Sequence, residues 1–62
     1  MTDKKYRVQI FKTDNTSENA YFYNRDEAII YGAKQLHKPD VKCVFLLREI
    51  IDDKYEVEVE IK

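Results

Sequence analysis

Few side chains in this chain of 62 residues have both the type and the spacing for chemistry. It holds one histidine, His37, and one cysteine, Cys43. General acid–base work needs titratable groups gathered in a cleft, and the nearest acid to His37 in sequence, Asp40, stands beyond Pro39. A lone His and a lone Cys cannot build a zinc site, and one cysteine cannot form an intrachain disulfide. Cys43 falls within an apolar run and reads as a small buried hydrophobe on the core side of its strand. Asp52-Asp53 reads as a turn, since the further oxygen ligands that calcium needs are missing nearby. Gly32 is the sole glycine, so there is no glycine-rich phosphate loop. The sequence predicts no enzyme, no cofactor, no metal and no small-molecule substrate.

Binding is the better-supported chemistry. Lys54 to Lys62 alternates apolar and charged residues without a break, the mark of a strand with one dry and one wet face. Its Glu56, Glu58 and Glu60 then line one face about 7 Å apart. Such a row can be a solvated edge, or it can imitate a phosphate backbone in a basic groove, as small inhibitory proteins do. Tyr21, Phe22 and Tyr23 could stack bases, with Lys5, Arg7 and Lys12 supplying charge. Against that stand the acidic last strand and the absence of an RNP-like motif.

These residues need a scaffold, and the pattern supplies one. Tyr6 to Phe11 alternates as a strand, Thr13 to Asn19 is a polar loop, and Ala20 to Tyr23 is a short aromatic strand. Asn24 is a fitting N-cap, with Asp26 and Glu27 in the first turn. The helix is predicted from Arg25 to His37, ended by Pro39. Its buried stripe is predicted as Ile29, Ala33 and Leu36, with Ala28, Gly32 and Ile30 beside them and Tyr31, Lys34 and Gln35 facing water. Val41 to Ile51 is apolar on both faces and belongs inside a sheet, and Asp52-Asp53-Lys54 turns into the last strand. The expected fold is α+β: one domain over residues 1–62, β-β-α-β-β, with an antiparallel sheet in the order 2-1-3-4 and the helix across one face.

In this reading Val41, Cys43, Phe45 and Leu47 face the core, and Val44 and Leu46 point away from the helix. The helix-free face then shows Phe11, Tyr21, Tyr23, Val44 and Leu46, flanked by Lys5 and Arg7 on one side and by Glu56, Glu58 and Glu60 on the other. An apolar patch rimmed by charge is how an interaction surface looks. The predicted function is therefore a non-enzymatic module that dimerises or binds a protein partner. Weak binding of single-stranded nucleic acid through the sheet aromatics is the alternative.

Composition is consistent with this. Lys and Arg number 11 against 12 Asp and Glu, a net charge of −1, which disfavours a dedicated phosphate binder. The N-terminal dozen residues are basic (Lys4, Lys5, Arg7 and Lys12 against Asp3), and the last fourteen are acidic. Met1 to Lys5 is polar, no apolar segment follows, and the longest apolar run, Cys43 to Leu47, is far too short to span a bilayer. The sequence thus predicts a cytoplasmic protein without a membrane partner. Its richness in Lys, Ile, Tyr and Asn fits an accessory protein of a low-GC bacterium, its phage or a mobile element.

Overall fold

The computed structural model describes residues 5–52 and 54–62. Asp53, the second residue of the expected turn, lies outside them, as do Asp3 and Lys4 of the basic N-terminal stretch. The elements are β1 Tyr6–Lys12, β2 Ser17–Phe22, α1 Arg25–Gln35, β3 Val41–Ile51 and β4 Lys54–Ile61. All strands pair antiparallel in one sheet, β2-β1-β3-β4, and α1 packs across it. This is the expected α+β fold.

The β1–β2 connection is tighter than the polar run suggested. The Asp14 carboxylate accepts from both the amide and the hydroxyl of Thr16, and Asn15 takes a φ of 70°. An Asx turn with a left-handed Asn reverses the chain without glycine. Ser17, Glu18 and Asn19, expected in a loop, are instead paired with Phe11, Ile10 and Gln9.

Helix α1 starts where its cap predicts. Asn24 is extended, and its side-chain oxygen accepts from the N–H of Asp26 at 2.7 Å and of Glu27 at 3.4 Å. It ends two residues sooner than expected, with Leu36 as C-cap and His37 in the turn beyond. The buried line is also rotated from the expected stripe. Ala28, Gly32 and Gln35 are buried, whereas Ile29, Ala33 and Leu36 are half-buried flanks and Ile30 is exposed. Small residues at the centre let the helix sit close to the sheet. A Cβ on Gly32 would overlap Ile61 Cδ1 and stand 3.2 Å from Val44 Cγ1. Tyr31, expected in water, lies against Phe22 with ring centroids 5.1 Å apart.

Beneath the helix lies the core: Val8, Ile10, Ala28, Val44, Leu46 and Ile61. Here the expected parity of β3 is overturned. Val44 and Leu46 are 0% exposed and pair with Ile10 and Val8, so they face the helix. Cys43, Phe45 and Leu47 take the other side. A run apolar on both faces carries no parity of its own. The charges that flank it, Lys42 and Arg48, stand at even positions, which is what places Val44 and Leu46 toward water when the sequence is read alone. Lys42, however, falls at a register shift, where β1 partners step from Cys43 to Val41. Arg48 pairs with Tyr6 and Glu56 at the end of the helix-covered face.

Strand β4 departs from its sequence pattern as well. The partner of Leu46 is Val59 and that of Leu47 is Val57, so Glu58 is an extra, bulged residue. A bulge inserts one residue and reverses the alternation beyond it.

Candidate functional site

The helix-free face can be read directly from the register. Across β2-β1-β3 one row holds Ser17, Phe11 and Cys43. The next, across all four strands, holds Asn19, Gln9, Phe45 and Glu60. A third holds Tyr21, Arg7, Leu47 and Val57, and beyond it Glu49 stands opposite Tyr55. Val57 reaches this face only because of the Glu58 bulge.

The two ends of the face differ. Around Leu47 the sheet makes its own cover. Tyr21 and Tyr55, from opposite edge strands, bring their rings to 6.2 Å, and the Arg7 guanidinium lies 5.7 Å from the Tyr55 ring centroid. Arg7 Nε donates to Asn19 Oδ1 at 2.9 Å, which fixes the guanidinium in place. Beneath this group Leu47 is only 7% exposed, with no helix above it. Amphipathic side chains can cover apolar surface with their flat or methylene parts while their polar tips stay in water.

The other end stays open. Phe11 and Phe45 meet edge to face at 5.8 Å and 81°, and both remain half-exposed. They form the floor of a pocket of about 320 Å³, completed by Cys43, Lys12, Lys42 and the turn residues Asn15 and Thr16. Cys43, expected in the core, is a half-exposed free thiol in this wall.

Electrostatics at the pocket separate its two lysines. Lys12 Nζ lies 3.0 Å from Glu18 and 3.9 Å from Asp40. Its hydrogen bond to Glu18, more than any other influence, raises its pKa above the ordinary lysine value. Lys42 makes no ion pair among the described residues. The pocket therefore carries one cation already matched and one that is not.

Of the surface residues expected from sequence, Phe11, Tyr21 and Arg7 share the helix-free face, and Tyr23 follows β2 at 64% exposure. Val44 and Leu46 do not, being in the core. Glu56 and Glu58 do not either. Glu56 stands opposite Arg48 on the helix side, with carboxylate and guanidinium 3.6 Å apart, and the bulged Glu58 meets Arg25 Nε of the helix at 3.1 Å. The carboxylate row is thus broken. Glu60 faces away from Glu56 and Glu58, and both of those have arginine partners, so β4 presents no regular ladder of acids to a basic groove.

Sequence reading missed Phe45, Leu47, Lys42 and Tyr55. One signal could have recovered Phe45 and Leu47. Val8 and Ile10 are the aliphatic pair of β1, and setting them opposite the aliphatic pair Val44 and Leu46 leaves Phe45 beside Phe11.

Among the described residues no three His, Cys, Asp or Glu side chains come together as a metal site requires, and no helix is long and apolar enough to cross a membrane. No protein-family model matches the chain, and none of the curated proteins or solved structures compared with it matches either.

Proposed function

We propose that the chain is a small non-enzymatic interaction module that binds a protein partner, or a second copy of itself, through the helix-free face of its sheet. One observation carries this reading. On a sheet whose other face is closed by a helix, Phe11 and Phe45 sit half-open in a pocket, with Val57 57% exposed and Tyr21 44% exposed on the same face. Contiguous aromatic and aliphatic surface rimmed by polar groups is the usual form of an interface centre.

The test is association of Phe45→Lys and Val57→Lys variants, followed by light scattering after size exclusion and by co-purification from the producing cells. Both variants should keep the wild-type circular dichroism and lose the dimer or the co-purifying protein. A folded double variant that still associates would refute the proposal.

A second reading draws on the same pocket. Two phenyl rings beside an unmatched Lys42 could stack a base of single-stranded nucleic acid. That reading requires affinity to fall steeply with salt, whereas an apolar contact responds little.

A further inference from the structure

We infer that the pocket between the β1–β2 turn and the start of β3 is an anchor subsite for an aromatic side chain that lies beside a carboxylate on an acidic segment of a protein partner. This rests on reading the helix-free face as an interaction surface, and it gives that surface its partner chemistry.

Size comes first. At about 320 Å³ the pocket lies at the lower end of the roughly 300–1,000 Å³ range of ligand sites, suiting one bulky side chain rather than a folded element. The floor specifies the kind of side chain. Phe11 and Phe45, nearly perpendicular, offer a ring face next to a ring edge, and a third ring can meet either in a favoured geometry.

Charge specifies the neighbour. Lys12 is matched by Glu18, so the ammonium of Lys42 is the charge a ligand would meet. The register shift at the start of β3 leaves Lys42 as the extra residue opposite β1, and Lys42 lines the pocket. A carboxylate fits there and an ammonium does not. Glu60, opposite Phe45 on β4, sets the far limit, so the partner's acid must fall on the Lys42 side.

Rigidity completes the case. The wall made by Asn15 and Thr16 is held by the two hydrogen bonds to Asp14 and by backbone bonds Lys12 N to Thr16 O at 2.9 Å and Asn15 N to Lys12 O at 3.1 Å. A wall already ordered loses little entropy on binding.

The experiment is an amide NMR titration of the full chain at neutral pH with N-acetyl-L-phenylalanine, whose ring and carboxylate reproduce the inferred anchor. N-acetyl-L-phenylalanine amide and a ten-nucleotide oligothymidylate are titrated in parallel. Saturable shifts confined to Phe11, Asn15, Thr16, Lys42, Cys43 and Phe45 are expected, with a millimolar constant. The neutral amide should bind about three-fold more weakly, and Lys42→Glu should weaken the carboxylate probe about five-fold. Lys34→Glu, the same charge change on the helix, should leave it unchanged. No saturable shift at these residues, or equal binding of both phenylalanine probes, overturns the inference. Tighter binding of oligothymidylate at the same residues also overturns it, in favour of nucleic acid. The broader reading fails separately. If Val57→Lys abolishes association while the probes do not bind, only the subsite is wrong. If association survives Phe45→Lys and Val57→Lys together, the face itself is wrong.

Discussion

The two faces of this sheet solve the same problem by different means. Under the helix, Val8, Ile10, Val44, Leu46 and Ile61 are closed off by a helix whose central line is small. On the opposite face no described element is laid over the strands, and Tyr21, Tyr55 and Arg7 reach across above Leu47. The first device takes Val8, Ile10, Val44 and Leu46 almost wholly out of water. The second stops short of the β1–β2 end, where Phe11 and Phe45 remain open. Dryness on one side supports the fold, and the incomplete cover on the other leaves exposed the surface that we propose for binding.

Substitutions can break or sharpen this contrast. Leu46→Ala should cost about 3 kcal/mol in urea unfolding, since a fully buried leucine leaves a cavity beneath a close-packed helix. Leu47→Ala should cost about 1.5 kcal/mol, because its cover is movable side chains that can settle into the gap. Equal costs would show that the helix-free face is packed as firmly as the core, and the contrast would fall. Asn24→Ala should cost about 1 kcal/mol by removing the cap of the covering helix, measured in the same way. A double-mutant cycle on Arg25 and Glu58, which ties the helix to the β4 bulge, should return a coupling of about 0.5 kcal/mol.

The smallest effect concerns the pocket wall. The hydrogen bond from the Thr16 hydroxyl, assisted by the Thr16 amide, holds the Asp14 carboxyl below its ordinary value of 3.8. A lowered folded-state pKa means that Asp14 contributes fully above the unfolded value, and the contribution fades as pH falls through the folded one. An NMR titration of the Asp14 carboxyl should place its midpoint below 3.8, with the Thr16 amide shift following it. Thr16→Val should move that midpoint upward.

Element order, sheet order and the helix start were legible because each has a local cause. Alternation marks β1 and β4, Asn24 marks the cap, and the doubly apolar run marks β3 as a central strand. The faces were less legible. Residues 43–47 are apolar at every position, so their parity is set by pairing with Val8 and Ile10, a contact between distant segments. Glu58 breaks the parity of β4 without a glycine or proline to announce it. Its bulge is read only from the partners of Leu46 and Leu47. The residues of the helix-free face were therefore legible only in part, with Val44 and Leu46 expected where Phe45 and Leu47 lie.

We propose that this protein meets a partner through the helix-free face and not through the helix. The most direct measurement places a photo-crosslinking benzoylphenylalanine at Phe45, at Tyr21 or at Lys34 on the helix, and irradiates the producing cells. A discrete protein adduct, or a crosslinked dimer, is expected from Phe45 and Tyr21 and none from Lys34. The same adduct from Lys34, or none from either sheet position in a folded protein, would contradict it.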